Sequence, residues 1–205
     1  QLMDNGAYRS AIPCLETSAY YAGKGTRFNY LSRYWIAEAY YRDGQYEKAR
    51  TIYIDLYNRS AMFNTPEGRL ITYNLAYCYF MDKDYNNAIK WYDRYLEEAV
   101  VEYRKDALER KGDCYFITKK YKNAASSYDL VVNDYFSADD IYPYYQAAIS
   151  YGLNKKADKK VELLSRVMDA SAESEFYPEA LFELGRTYAV REDDDKAFKC
   201  FNKLA

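Results

Sequence analysis

The sequence predicts an all-α fold, a linear array of helix-turn-helix repeats that share one continuous core, and three observations predict it. In LFELGRTYAVREDDDKAFKCF, residues 181–201, the positions Leu181, Leu184, Gly185 and Tyr188 fall at i, i+3, i+4 and i+7, which is one face of a helix. A small residue followed four places later by an aromatic, here Ala197 and Phe201, recurs upstream as Ala49 with Tyr53, Ala88 with Tyr92 and Ala124 with Tyr128. Counted from Ala11, these pivot alanines stand 38, 39, 36 and then 73 residues apart, the last interval being two steps. One hairpin of two helices leaves an apolar face open, so a fixed period of this length means neighbours that bury one another.

Each pivot has a first helix at a constant distance before it. Ile36-Ala37-x-x-Tyr40, Leu75-Ala76-x-x-Tyr79 and Lys111-Gly112-x-x-Tyr115 stand to their alanines as Leu184-Gly185-x-x-Tyr188 stands to Ala197. The small residue lets two helices cross closely, and the tyrosine fills the space beside the crossing. Between the halves lie Gly44-Gln-Tyr46, Lys83-Asp-Tyr85 and Lys119-Lys-Tyr121, each a turn followed by an aromatic able to staple the second helix. The double interval demands one more unit. Ala147-Ala148-x-x-Tyr151 supplies its first helix and Val161 to Met168 its second, with Lys160 at the pivot and Leu164 at the aromatic place.

Taken in order, residues 1–29 read as the second half of a repeat: Gly6-Ala-Tyr8 is the turn, Ala11 the pivot, and Pro13 is expected to kink or shorten the helix. Repeats follow over 30–68, 69–104 and 105–140, a degenerate one over 141–177, and a truncated one over 178–205. The spacing predicts helices near 28–42 and 46–58, 67–81 and 85–99, 102–117 and 121–134, 139–152 and 157–169, and 177–190 and 194–205. Pro143 and Pro178 fit first turns of helices, and the Asp193–Asp195 run offers N-caps to the last helix. Neither end carries a polar capping repeat, so the sequence reads as an internal piece of a longer array.

This pattern resembles the tetratricopeptide repeat family over nearly the whole chain. The resemblance implies a right-handed α-solenoid, a superhelix of stacked antiparallel hairpins whose first helices line a concave groove, serving as a non-catalytic scaffold for a peptide or protein partner. Two features depart from the usual repeat: the period is longer, and no proline follows the second helices at the expected place. Long-period, tyrosine-rich arrays are similar to those of bacterial cell-envelope proteins, such as the outer-membrane barrel-assembly lipoprotein and the periplasmic Tol-associated coordinator. That resemblance implies the bacterial periplasm or envelope rather than the cytoplasm.

The same resemblance places specific residues in the groove. They are Tyr34, Glu38, Tyr41 and Arg42; Tyr73, Tyr77, Phe80 and Met81; Glu109, Asp113, Phe116 and Ile117; Tyr142, Tyr145 and Ile149; and Phe182 with Arg186. So many aromatics offer rigid contact area with a polar handle, which suits capture of a peptide or protein, or alternatively of sugar rings as a carbohydrate-binding module would use them. The family's Lys/Asn clamp for a C-terminal carboxylate is not supported, because its positions hold Tyr34, Glu38, Tyr73, Tyr77, Glu109 and Asp113. A second candidate surface is a basic rim on consecutive turns: Lys119, Lys120 and Lys122, then Lys155, Lys156, Lys159 and Lys160. It could meet an acidic partner or anionic head groups.

Composition narrows the function classes. The chain has 27 tyrosines and no histidine, so the commonest general base and metal ligand is missing and Ser-His or Cys-His nucleophile pairs are excluded. No cofactor or metal is expected, since Asp193-Asp194-Asp195 lacks the alternating ligands and distal Glu of a calcium loop. A net charge of −2 argues against nucleic acid as partner, and no run approaches the roughly 18 apolar residues of a bilayer span. Cys78 and Cys114 precede signature tyrosines by one, while Cys14 and Cys200 follow pivots by three. Recurrence at equivalent places predicts small buried fillers rather than a disulfide framework.

Overall fold

The structure, a computed structural model, describes residues 2–59, 62, 64–98, 101–135, 140–168 and 175–204. Among these residues every regular element is helical: α1 (Tyr8–Tyr21), α2 (Arg27–Arg42), α3 (Tyr46–Tyr57), α4 (Pro66–Arg69), α5 (Ile71–Met81), α6 (Tyr85–Glu97), α7 (Arg104–Ile117), α8 (Tyr121–Asp134), α9 (Tyr142–Leu153), α10 (Ala157–Met168), α11 (Tyr177–Val190) and α12 (Asp194–Asn202). The chain forms two compact units, Gln1–Ala107 and Leu108–Ala205. In the first, α1 packs on α2, α2 on α3, α3 on α5 and α5 on α6; in the second, α8 packs on α9, α9 on α10, α10 on α11 and α11 on α12.

The pivot pairs lie where the spacing demands. Ala49, Tyr53, Ala88, Tyr92, Ala124 and Tyr128 have no exposed surface, and Leu164 takes the aromatic place of the degenerate repeat with none either. The first unit centres on Tyr34, Ala37, Ala49, Tyr53, Leu56, Met62, Ile71, Leu75 and Cys78. The second centres on Ala124, Tyr128, Ala147, Ala148, Leu163, Leu164, Leu181 and Leu184. The stapling aromatics Tyr46, Tyr85 and Tyr121 meet Tyr41, Phe80 and Phe116 across the turn, with ring centroids 5.5, 5.8 and 5.5 Å apart.

One backbone device closes all five hairpins. The signature tyrosine's carbonyl, at Tyr40, Tyr79, Tyr115, Tyr151 and Tyr188, accepts from the N–H five residues on, at Gln45, Asp84, Lys120, Lys156 and Asp193. The residue before each of those donors is left-handed: Gly44, Lys83, Lys119, Lys155 and Glu192 have φ of 77, 61, 60, 59 and 60°. This is the Schellman closure, which satisfies carbonyls that a helix end would otherwise orphan. Asp84 and Asp193 then cap the next helix by accepting from the N–H groups of Asn87 and Lys196.

The structure corrects three expectations. Pro13 does not shorten α1, which runs on to Tyr21; Pro13 lies exposed, as does the ring's side of the helix around Cys14 and Glu16. Helix 67–81 is broken into α4 and α5 at Leu70. The break follows from a tight return of the chain: the Thr65 hydroxyl donates to the Met62 carbonyl and accepts from the Gly68 N–H, both at 2.9 Å, and Met62 is buried in the core. Cys78, Cys114 and Cys200 are buried fillers, but Cys14 is exposed because its face of α1 is left uncovered by α2.

Candidate functional site

Two helix faces in the first unit converge on one cleft. On α2, Tyr34, Trp35, Glu38, Tyr41 and Arg42 recur with the helical period; Leu70 and, on α5, Tyr73, Asn74 and Tyr77 do the same. Together with Tyr103, they line a cavity of about 330 Å³. Aromatic rings make up most of its wall. Tyr73 lies 5.0 Å from Tyr77 and 5.1 Å from Tyr103, the latter pair stacked within 17° of parallel, and Tyr41 meets Tyr77 edge-on at 6.4 Å.

The hydroxyls of Tyr34, Tyr73 and Tyr77 are held by neighbouring side chains. Tyr73 donates to Asp106 Oδ2 at 2.8 Å, and Tyr77 donates to the same oxygen. Tyr53, in the core, donates to Glu38 Oε2 at 2.9 Å, while Arg42 Nε donates to Glu38 Oε1 at 2.8 Å. Asn74 Nδ2 donates to the Tyr34 and Tyr53 oxygens at 2.9 and 3.2 Å. Burial, reinforced by nearby Glu38, raises the Tyr34 hydroxyl well above an ordinary phenol. Burial likewise raises Tyr41, and for Tyr73 the hydroxyls and carboxylate of Tyr77 and Asp106 add to it. The Tyr34, Tyr41 and Tyr73 phenols are therefore uncharged at neutral pH, and Glu38 and Arg42 form an ion pair in the lining.

Tyr103 differs from the rest. Its φ of 54° places a non-glycine aromatic in the left-handed region, and its side chain is 49% exposed over Tyr73. Strain of this kind costs about 1–3 kcal/mol and persists only where surrounding contacts impose it. Trp35, 40% exposed, forms the opposite lip and meets Tyr34 edge-on at 5.5 Å.

Six of the residues singled out from the sequence, Tyr34, Glu38, Tyr41, Arg42, Tyr73 and Tyr77, thus surround one cavity. Phe80 does not line it; its ring is engaged by Tyr77 and Tyr85. Trp35, Leu70, Asn74 and Tyr103 were missed. The first three sit one helical step from residues the sequence reading did mark, so helix periodicity could have found them; Tyr103 comes from a link with no repeat signal.

In the second unit, Glu109 and Asp113 are buried rather than presented for binding. Asp113 Oδ1 accepts from Tyr128 at 2.6 Å and Tyr142 at 2.5 Å, and its other oxygen accepts from Arg110. Glu109 lies 3.7 Å from the Arg110 guanidinium. These carboxylates are core groups. Phe116 and Tyr142 are half-buried, and Tyr142 and Tyr145 pack on Phe176 at 5.5 and 5.6 Å. Phe182 and Arg186 are exposed, with Phe182 beside Phe201 and Arg186 donating to Glu183 at 2.8 Å.

The basic rim divides as well. Lys119 and Lys155 are the left-handed turn residues, and Lys120, Lys122, Lys156 and Lys159 are exposed, Lys159 bonding Glu162 at 2.8 Å. Lys160 leaves the rim: its side chain is 13% exposed, lies across Gly152, and donates to Glu183 at 2.6 Å. Among the described residues no cluster of three or more Cys, Asp or Glu side chains could hold a metal ion, and no helix is long and apolar enough to cross a membrane.

With this geometry in hand, the comparisons with known proteins are specific about the fold. The tetratricopeptide repeat family matches residues 1–64 and 58–100. The C-terminal part of a TPR repeat-containing protein from Cytophaga hutchinsonii aligns over 99% of this chain and 75% of its own, with a TM-score of 0.77 at 14% identity. MamA from Desulfovibrio magneticus RS-1 aligns over 89% of this chain and 95% of its own, with a TM-score of 0.69 at 20% identity. BtubC from P. vanneervenii aligns over 97% and 89%, with a TM-score of 0.65 at 14% identity. No curated protein matches the chain in sequence.

Proposed function

We propose that this chain of tetratricopeptide repeats is a non-catalytic interaction scaffold, and that the cleft between α2 and α5 seats a peptide segment of its partner. The observation that carries the reading is the cleft itself: about 330 Å³ walled largely by tyrosines, with Tyr34 bonded by Asn74, Tyr73 and Tyr77 bonded to Asp106, and Trp35 and Tyr103 standing exposed. Fixed rings lose little entropy when a ligand arrives, and exposed Trp and Tyr are the side chains that most often dominate binding energy. The absence of histidine speaks against acid-base catalysis in the chain. The carbohydrate alternative draws no support from the matched proteins.

A peptide library selected on the parent chain tests the reading. Trp35→Ala and Tyr103→Ala remove exposed rings and leave the core in place, so helicity and melting are expected to stay near the parent. Selected peptides should bind these variants at least about tenfold more weakly, the loss of one hot-spot side chain. Peptides that bind both variants as tightly as the parent would move the site elsewhere.

A further inference from the structure

Resting on that reading, we propose that the segment seated in the cleft is proline-rich and enters as a polyproline II helix, its pyrrolidine rings against the aromatic wall and its main-chain carbonyls accepting from Trp35, Tyr41 and Tyr103.

The hydrogen-bonding capacity left over in the lining points to this ligand. Tyr34, Tyr73 and Tyr77 already have side-chain partners in Asn74 and Asp106. Among the described residues, the indole N–H of Trp35 and the hydroxyls of Tyr41 and Tyr103, all in the same lining, have no hydrogen-bond partner. An indole nitrogen can only donate, and both hydroxyls can donate. Acceptors are scarcer. Glu38 Oε1 already accepts from Arg42 and Oε2 from Tyr53, which leaves Asn74 Oδ1, hydroxyls aside, as the side-chain oxygen of the lining with no donor on it among the described residues.

That imbalance separates the conformations a peptide could bring. A strand-like segment presents an N–H at every residue to a wall short of acceptors, and an N–H stripped of water without a partner is costly. An α-helical segment has already bonded its carbonyls within itself. Proline lacks the N–H and keeps its carbonyl, and a polyproline II helix makes no internal hydrogen bonds, so its carbonyls are open to donors. The shape of the wall agrees. Trp35 and Tyr103 are exposed, Tyr103 stacks on Tyr73 within 17° of parallel, and Tyr41 meets Tyr77 edge-on at 6.4 Å, which sets flat apolar faces beside the donating tips. Aromatic-lined grooves hold proline-rich segments because that helix is formed before it binds, so little freedom is lost. Arg42 is bound to Glu38 at 2.8 Å, and the groups left to bond a ligand, Trp35, Tyr41, Tyr103 and Asn74, are neutral.

Trp35 gives the readout. The chain has two tryptophans, and Trp91→Phe, which keeps a ring against Tyr57, leaves Trp35 as sole reporter in the lining. The probes are acetylated and amidated hexaproline and hexa-alanine peptides with serine at each end, titrated to millimolar concentration. The expected result is a saturable change in Trp35 emission with hexaproline, and binding at least about tenfold weaker with hexa-alanine, which must be ordered on binding and carries an N–H at every position. Tyr41→Phe and Tyr103→Phe each keep the ring, and because neither hydroxyl bonds within the described chain they orphan nothing. Helicity and melting should match the parent, while each variant binds hexaproline about two- to tenfold more weakly, the loss of one hydrogen bond. Equal binding of the two probes, no binding of either, or undiminished affinity for hexaproline in both phenylalanine variants overturns the proposal. If library-selected peptides require Trp35 and Tyr103 but are not enriched in proline, polyproline recognition fails alone and the scaffold reading stands; if they require neither ring, both fail.

Discussion

The three glycines in the first helices of their hairpins, Gly112 and Gly185 inside α7 and α11 and Gly152 in the last turn of α9, permit a sharp test of how the packing works, because the same substitution meets three different neighbours. A Cβ at Gly112 would lie 2.6 and 2.7 Å from Cε1 and Cζ of Tyr128, a ring with no exposed surface whose hydroxyl is bound at 2.6 Å to Asp113. At Gly185 it would lie 2.8 Å from Phe201, which is 36% exposed, and at Gly152 2.8 Å from Cδ of Lys160, part of a flexible chain. Alanine gains about 0.8–1.0 kcal/mol over glycine in a helix interior wherever it fits. Against that, forcing a methyl into a packed core costs about 1–3 kcal/mol. At Gly112 the displaced ring also pulls its hydroxyl from a charged acceptor, a further loss of about 1.5–3 kcal/mol. Gly112→Ala is therefore expected to destabilise by about 2–4 kcal/mol, Gly185→Ala by about 0–1, and Gly152→Ala to be neutral or stabilising by up to about 0.5, since Lys160 can swing aside. Urea unfolding followed by circular dichroism reads this as midpoint shifts at constant slope. If Gly112→Ala matched the parent, or Gly152→Ala were the most damaging of the three, the close approach of Tyr128 would not be what holds α7 against α8.

Lys119→Gly and Lys155→Gly remove side chains from left-handed turns where a non-glycine residue costs about 1–2 kcal/mol, so each should raise stability by up to about 1 kcal/mol once the greater entropy of unfolded glycine is counted, measured by the same urea transition. Asp113→Ala leaves Arg110 and two tyrosine hydroxyls without their acceptor and is expected to cost about 3–5 kcal/mol, whereas Lys122→Ala on the exposed surface should stay within about 0.5. Alkaline pH should unfold the chain: burial pushes the Cys78 and Cys114 thiols up to about 12, Tyr151 rises to about 12, and Tyr53, Tyr73 and Tyr128 rise further. All are raised, so folded chains hold protons that unfolded chains release from about pH 8.5 for Cys and 10 for Tyr, and stability is full below that and lost as pH rises toward 12. The absorbance step of the buried tyrosines at high pH should then appear together with loss of helicity; complete ionisation of all 27 tyrosines with the helices intact would contradict it. In the native state a thiol reagent at pH 8 should modify Cys14 alone, the other three reacting only on unfolding.

The fold was legible because a small residue and an aromatic four places on fix where two helices touch, and that pair recurs here at a near-constant period. What the spacing left unread was the chemistry at equivalent places. Five residues before each pivot stand Gly6, Gly44, Lys83, Lys119, Lys155 and Glu192; the two glycines among six equivalents were the sign of a left-handed turn, and the lysines looked like a basic edge because charge is visible in a sequence and φ is not. The buried carboxylates follow the same logic. Eleven residues before the pivot, Glu38 and Asp113 occur in repeats whose position four after the pivot is tyrosine, and each accepts that tyrosine's hydroxyl, Tyr53 and Tyr128. Where the partner is Leu164 the position is Ile149, and where it is Phe201 the position is Arg186, which turns outward to Glu183. At Glu38 and Asp113 a position that a groove template assigns to the ligand thus also serves the core, because an unpaired buried phenol is costly; in the repeat of Ala88 and Tyr92 the same position is Tyr77, which lines the cleft and donates to Asp106 instead. Lys160 obeys the same rule of local exchange. Eight residues before the other pivots stand Tyr41, Phe80, Phe116 and Ala189, but here stands Gly152, and the lysine's alkyl chain lies across that glycine while its ammonium reaches Glu183. The large pivot of this repeat and its glycine neighbour pack on one another, so Gly152 and Lys160 are one local arrangement rather than two departures from the pattern, and the flexible lysine chain leaves room to adjust.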